Sequence, residues 1–257
     1  MRIGILTDTR ISPYYQRVLQ PVLDYDPFEV VLGLIDGRPK KTLLQKIRKN
    51  WKRGRGGYMF VMAVQSLAMN TEKNRDAHKL FTELGVPFME TADPYNEETT
   101  QFVTSKEPDV LFLLGGFGII KKPLLEATSL GMLSYHHGDI RKYRGMPPAF
   151  WELYNDEKKM GVTLQRLSPR LDKGLPLAEI QVPVYPTDTV NKLTQRAYAQ
   201  SEGMLFAALQ KLDKGSVDKK EVEEFGQLYT LPNLRHWLTL QYRVLGRKLR
   251  HAFSYSD

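Results

Sequence analysis

The residue types able to do chemistry concentrate in one stretch, Gly131-Met-Leu-Ser-Tyr-His-His-Gly-Asp-Ile-Arg-Lys-Tyr-Arg-Gly145. It opens as a short apolar strand, 131–135, and runs into a polar loop bounded by glycine. Two-residue alternation puts Ser134 and His136 on one face of the strand end and Tyr135 and His137 on the other. A histidine where a strand opens into a loop is held by rigid backbone and still meets solvent, the place where α/β folds put their chemistry. Downstream, Gly161-Val-Thr-Leu-Gln-Arg-Leu167 alternates as another strand and leads into Arg170-Leu-Asp-Lys-Gly174, a turn that presents Asp172. An imidazole and a carboxylate on neighbouring loops are the minimum for moving a proton. Taken alone, the pair reads first as a strand-end histidine satisfied by a turn aspartate.

Two other chemistries compete for the same residues. His136, His137 and Asp139 invite a metal reading, but adjacent strand residues point to opposite faces and three convergent ligands are not evident. Ser134, His136 and Asp172 could form a hydrolase triad, yet the Gly-x-Ser-x-Gly elbow that exposes such a serine is absent around Ser134.

A wider pattern decides between these. The spacing Gly131-x-Leu133-Ser134-x-His136, then Tyr143-Arg-Gly145, Gly161-Val-Thr163 and Leu171-Asp-Lys-Gly174 resembles the folate-dependent formyltransferase family, which includes glycinamide ribonucleotide, methionyl-tRNA and amino-sugar formyltransferases. The resemblance spans about residues 105–195 in motif and residues 1–104 in architecture. It implies a catalytic His136 and Asp172, with Ser134 standing where the family carries its catalytic asparagine. It places Gly115, Gly116, Phe117, Gly118, Ile119, Leu171 and Gly174 around a 10-formyltetrahydrofolate donor. Tyr143, Arg144, His137 and Asp139 are expected at the acceptor side, with no metal. Arg144 also has a plainer role, as a hydrogen-bonding support of its own loop.

What the resemblance implies is formyl transfer to a primary amine, an amino sugar or similar small acceptor, anionic if the basic surface takes part. In that chemistry His136 faces the oxyanion as imidazolium, and Asp172 orients it and helps remove the amine proton. Two alternatives stay open: hydrolysis of formyltetrahydrofolate, and a non-catalytic, membrane-associated binding or scaffold relative in which Ser134 marks lost activity.

Composition sets the outer limits. The 257 residues include no cysteine, which excludes disulfides, thiolate nucleophiles and cysteine metal sites. With 42% hydrophobic and 26% charged residues the chain is ordinary for a soluble globular protein. No window approaches the ~18 uninterrupted apolar residues of a membrane span, and Met1-Arg-Ile-Gly-Ile-Leu-Thr7 reads as a first strand rather than a leader. A cytoplasmic protein, peripheral to a membrane at most, is the expectation. A net charge of +8 suits a solvated basic surface or an anionic partner. Nucleic acid is not expected, because the tail is too short and too helical for the β-barrel of the tRNA-binding relatives.

The elements that must position the site follow from periodicity. A strand at 2–7, a helix at about 12–24 and a strand at 28–35 make a β-α-β opening, hence a doubly wound, mostly parallel twisted sheet. No Gly-x-Gly-x-x-Gly follows the first strand, which argues against a dinucleotide fold. Residues 38–55 hold nine Lys or Arg and no acid, with Leu43, Leu44, Ile47 and Trp51 at helical spacing. With a second, apolar helix over 58–69 they form an insertion at about 38–70. Helices at 74–84 and 96–105 and a short strand at 86–89 follow, then the fully apolar 109–114, read as a central strand. Pro123 starts a helix to about 128, and Pro147-Pro148 another through Asn155. Strands at 161–167 and 177–184 and one helix over 190–212 close the domain at 1–214. Residues 215–257 are expected to be a polar linker to about 230 and then a basic helix. Its stripe of Leu234, Leu238, Leu245, Leu249 and Phe253 is expected to pack on the domain, the alternative being an anionic membrane surface.

Overall fold

The computed structural model describes residues 1–40, 42–57, 73–216 and 222–253. The helix expected over 58–69 lies outside the described residues. A seven-stranded sheet organises the rest. Its strands are β1 (Arg2–Asp8), β3 (Glu29–Asp36), β5 (Phe88–Thr91), β6 (Val110–Leu113), β7 (Met132–His136), β9 (Lys159–Arg166) and β10 (Leu175–Pro183), in the order β10-β9-β7-β6-β1-β3-β5. The five from β7 to β5 are parallel, and β9 and β10 continue antiparallel. The run read as central, now β6, is the middle strand and is buried throughout. Strand order reverses direction between β6 and β1, so a crevice opens at their carboxyl ends, where open α/β sheets hold ligands.

The pleat sends alternate residues to two cores. Ile3 and Ile5 join Phe112, Leu133 and Tyr135 on one face, while Leu6 joins Leu32, Leu34, Leu111 and Met132 on the other. Helices α1 (Pro13–Leu23), α3 (Ala77–Glu83), α4 (Glu97–Ser105), α6 (Val190–Ser201) and α7 (Met204–Asp213) cover these faces. Ser12 caps α1 by accepting from the Tyr15 amide, and Pro13 sits in the first turn where its missing N–H is harmless.

Several elements differ from expectation for identifiable reasons. The sequence expected as helix from residue 74 first makes a two-residue strand, β4 (Arg75–Asp76), paired with β2 (Arg10–Ile11). After Pro123 there is only the 3₁₀ turn Leu124–Glu126. The helix after Pro147-Pro148 is short, α5 (Phe150–Tyr154), and Ala149 at its cap is left-handed. The segment read as a linker contributes β11 (Gln227–Tyr229), which pairs in parallel with β8 (Tyr143–Gly145).

The single helix expected over 190–212 is two helices, because Glu202-Gly203 interrupts it. The break leaves the Ser201 carbonyl and the Leu205 amide without helical partners. One side chain serves both: Tyr135 Oη donates to Ser201 O (2.8 Å) and accepts from Leu205 N (2.9 Å). Tyr135 is the neighbour of His136, so the helix break fastens the strand end that carries the site.

The tail helix α8 (Leu234–Phe253) packs on α5, but with the other face from the one expected. Leu240 and Val244 are buried, Trp237 joins the core, and Arg247 reaches the Leu153 carbonyl and Asp156. The Leu234, Leu238, Leu245, Leu249 and Phe253 stripe faces solvent. Leu44, Ile47 and Trp51 of α2 (Leu43–Trp51) do the same. No described helix is long and apolar enough to cross a membrane.

Replacing Tyr135 by Phe keeps the ring in place and strips the hydroxyl from two buried main-chain groups. The expected loss is roughly 1–3 kcal/mol of stability in urea denaturation. Accelerated amide exchange at Leu205 should accompany it. An unchanged denaturation midpoint would mean that the break is held otherwise.

Candidate active site

His136 ends β7 at the carboxyl edge of the sheet, 7% exposed. Both ring nitrogens face acceptors. Nε2 lies 2.7 Å from the Tyr143 carbonyl and Nδ1 lies 3.4 Å from Asp172 Oδ1. A neutral imidazole carries one proton and leaves one of these contacts without a donor, whereas the imidazolium satisfies both. Burial by itself pulls the His136 pKa down. The Asp172 carboxylate, the Tyr143 carbonyl and the nearby Glu152 override it, and the net direction is upward.

Asp172 is positioned from two sides. Its backbone is left-handed (φ 47°), a conformation aspartate tolerates better than most residues. Its Oδ2 accepts from the Gly145 amide at 2.8 Å. Burial raises its pKa, but the His136 contact, the Gly145 amide and Arg144 outweigh that, and the carboxyl is held below its ordinary range. Gly145 has to be glycine: φ is 88°, and a Cβ there would lie 2.0 Å from the Tyr229 carbonyl. Strand β11 therefore presses directly on the residue that orients Asp172.

Around this pair the expected site residues divide. Arg144 is engaged with two carbonyls, Nε donating to Gly226 O (2.7 Å) and Nη1 to Leu171 O (3.2 Å), so it clamps two loops. Tyr143 contributes its carbonyl to His136, while its hydroxyl donates to Glu157 (2.9 Å). Asp139 accepts from the Arg141 amide and opens into a separate cleft of about 450 Å³ with Lys142 and Gly161. His137 passes to the other face of β7, among the rings of Tyr14, Tyr135 and Tyr198, with Nε2 3.2 Å from Tyr14 Oη. Burial and then the charge of His136 hold its pKa down to about 3. Three of the four residues expected at the acceptor, Tyr143, Arg144 and His137, line a small void together with His136, and Asp139 lines the separate cleft.

Ser134 lies on the His136 face of β7, and its hydroxyl donates to the Leu113 carbonyl at 3.2 Å. Its one proton is engaged there, and only oxygen lone pairs remain to offer a ligand.

The loop after β6 is built to be rigid yet open. Gly116, Phe117 and Gly118 all have positive φ. Phe117 does not line the crevice as expected: its ring is buried in the core, and its amide donates to Asp36 Oδ2 at 2.6 Å. Arg38 grips the same carboxylate through contacts of 2.8 Å to each oxygen. Gly115 and Gly118 have open space where a side chain would stand, and Ile119 is exposed. In the turn that carries Asp172, Leu171 is exposed, while Gly174 is buried with its amide on Gln165 Oε1 (3.0 Å) and no room for a Cβ.

Glu152 was missed in the sequence. It is 2% exposed on α5 and lines, with His136, Gly145, Met146 and Tyr229, a void of about 10 Å³. Its Oε2 has no hydrogen-bond partner among the described residues. Burial pushes its pKa up to about 7. The available signal was a lone carboxylate inside the apolar run Phe150-Trp-Glu-Leu153. Asp36 read only as the end of a strand, and Tyr229 as part of a linker.

A sequence profile described as "Formyl transferase" matches residues 32–209. Methionyl-tRNA formyltransferase of Thermotoga maritima is 30% identical over 144 residues, covering 56% of this chain and 46% of that protein. The chain spans about half the length of the curated relatives it matches. Among solved structures, glycinamide ribonucleotide transformylase 1 from Symbiobacterium toebii superposes with a TM-score of 0.58 at 19% identity, over 89% of this chain and 94% of that one. An N-formyltransferase from Helicobacter canadensis, in complex with folinic acid and dTDP-3-aminofucose, gives 0.61 at 13% identity, over 95% and 80% of the two chains. These structures share the fold.

Two titrations test the electrostatics. In Asp172→Asn the burial of His136 persists without the carboxylate. Its pKa, followed by NMR of the ring protons, should therefore fall below the ordinary histidine value. The pair's stabilisation follows the same signs: the histidine's share is lost as pH rises through its raised pKa, and the aspartate's as pH falls through its lowered one. Glu152 behaves oppositely, because a raised carboxyl pKa makes the folded state less stable as pH climbs from about 4.5 to about 7. Glu152→Gln should recover on the order of 3 kcal/mol at pH 8 and little at pH 4. Equal denaturation midpoints at both pH values would refute that assignment.

Proposed function

Because this chain belongs to the formyl transferase family, we propose that it moves a formyl group from 10-formyltetrahydrofolate to the primary amine of a small acceptor, an amino sugar by preference. The observation that carries the reading is the His136–Asp172 pair at the sheet's carboxyl edge, with acceptors at both nitrogens of the buried ring. The Helicobacter canadensis protein, which shares the fold, was crystallised with a folinic acid and an amino-sugar nucleotide, and this supports the donor and acceptor classes.

The residues suit such a donor. Open space beside Gly115 and Gly118 lets a flat ring approach the backbone, and exposed Ile119 and Leu171 offer apolar contact. The bound donor supplies an activated formyl carbon. In the proposed site both ring nitrogens of His136 are turned to Tyr143 O and Asp172, so the imidazolium stabilises the negative charge that develops on the formyl oxygen through its field. Asp172 keeps the ring oriented and the charge in place. As the new C–N bond forms, the attacking amine gives up a proton to Asp172, and that proton passes to the donor nitrogen as the old C–N bond breaks and tetrahydrofolate leaves. Ser134 is left to hold the incoming amine only through its oxygen lone pairs.

Purified protein with 10-formyltetrahydrofolate and an amino-sugar nucleotide should form tetrahydrofolate in an amine-dependent way. His136→Asn and Asp172→Asn should each lower that rate by about 10²–10³ or more. Ser134→Asn, which adds an amide able to reach past Leu113, should raise turnover with generic small amines. Product formation that ignores the amine would point to hydrolysis. Folate binding without turnover in any variant would point to a binding protein.

A further inference from the structure

Fifteen large apolar side chains are exposed among the described residues, and nine of them lie on two helices, α2 and α8. Scattered single exposures are normal, but such a concentration marks a surface with a partner. Helix α8 carries two apolar seams. One, centred on Leu240 and Val244, is used against the domain. The other repeats at Leu234, Leu238, Tyr242, Leu245, Leu249 and Phe253, within an arc of about 100° on the opposite side. Tyr242 is 80% exposed and Phe253 72%. On α2, Leu44 is 78% and Trp51 71% exposed.

The segment that follows α2 meets the segment that leads into α8. Arg55, just beyond α2, donates to Thr230 Oγ1 (2.8 Å), and a Cβ on Gly57 would meet Leu234 Cβ at 2.9 Å. Their polar margins share one sign. Arg235, Lys248 and Arg250 flank the outer seam of α8, Lys46, Arg48, Lys52 and Arg53 stand exposed along α2, and neither helix contains an acid.

We propose that α2 and α8 together form a docking surface for an anionic lipid bilayer, with the apolar seams at the acyl boundary and the flanking cations among the headgroups. Apolar residues on one arc with cations beside them is the pattern of a helix lying in a membrane interface. A second copy of this chain fits poorly, since a symmetric contact would set cations against cations with no carboxylate on either helix. A nucleic acid would neutralise the cations but leave the leucines in water. The inference stands independently of the proposed reaction.

The test is co-sedimentation of the full chain with vesicles of phosphatidylcholine alone and of phosphatidylcholine mixed with phosphatidylglycerol. The protein should pellet only with the mixed vesicles, and Trp51 emission should move to the blue, a shift absent in Trp51→Phe. The triple change Leu238→Asn, Leu245→Asn, Leu249→Asn alters only exposed positions and should abolish pelleting while leaving circular dichroism unchanged. Arg235→Gln, Lys248→Gln and Arg250→Gln together should weaken binding on the order of a hundredfold. No pelleting with either vesicle, or equal pelleting with both, overturns the proposal. So does a dimer in light scattering that the leucine changes dissociate while vesicle binding is absent, or RNA binding that those changes leave intact without any vesicle binding.

Discussion

A buried positive charge is the constraint around which this structure is arranged. Removing an imidazolium from water is unfavourable by several kcal/mol unless acceptors and a counter-charge replace the solvent. His136 receives both, a carbonyl on one nitrogen and a carboxylate near the other. Each of those acceptors needs its own support. Tyr143 is fixed by pairing with β11 and by its hydroxyl on Glu157; Asp172 is fixed by the Gly145 amide. Arg144 then ties the same loop to Gly226 and Leu171. The parts of the fold that look peripheral to the sheet exist at this edge to keep one charge in one place.

The two histidines of the site show how little sequence distance means to electrostatics. His136 and His137 are adjacent, yet one is favoured charged and the other neutral. The pleat sends them to different media. One meets a carboxylate, the other a cage of tyrosine rings. Charging His137 would add a second buried cation next to the first, so each disfavours ionisation of its neighbour. Glu152 lines the same void, and its titration is coupled to that of His136: an ionised Glu152 favours the charge on His136, whereas burial favours the neutral carboxyl, which gives His136 no such support.

Much of this was legible in the sequence, and the reasons for the remainder are specific. The parallel sheet, the central β6 and the convergence of His136 with Asp172 follow from apolar runs, alternation and motif spacing, all local properties. The splitting of the 190–212 helix had one local signal, Gly203, but the hydroxyl that satisfies the freed carbonyl lies 66 residues away and leaves no local trace. Strand β11 was not legible, being three residues whose strand character comes from pairing with β8 and not from their own composition. The tail stripe was read with the right spacing and the wrong destination, since periodicity reveals that a helix has an apolar face but not which of two faces the domain takes. Asp139, His137 and Phe117 turn to a separate cleft, a ring cluster and the core for a related reason: a loop residue's position in a motif does not say which way its side chain turns.

The pairing of β11 with β8 has a consequence for the order in which the molecule is completed. The chain is made from its amino end, and β8 is synthesised long before its partner. Until Gly226 and the strand after it have emerged, Arg144 lacks the Gly226 carbonyl and Gly145 lacks the neighbour that demands its glycine. The sheet, with β7 and β9 already paired, can form during that interval, while the loop that holds Asp172 against His136 waits. A nascent chain would thus possess its scaffold before its charge site, and a premature stop between residues 214 and 226 would give a protein with a formed sheet and an unbraced centre.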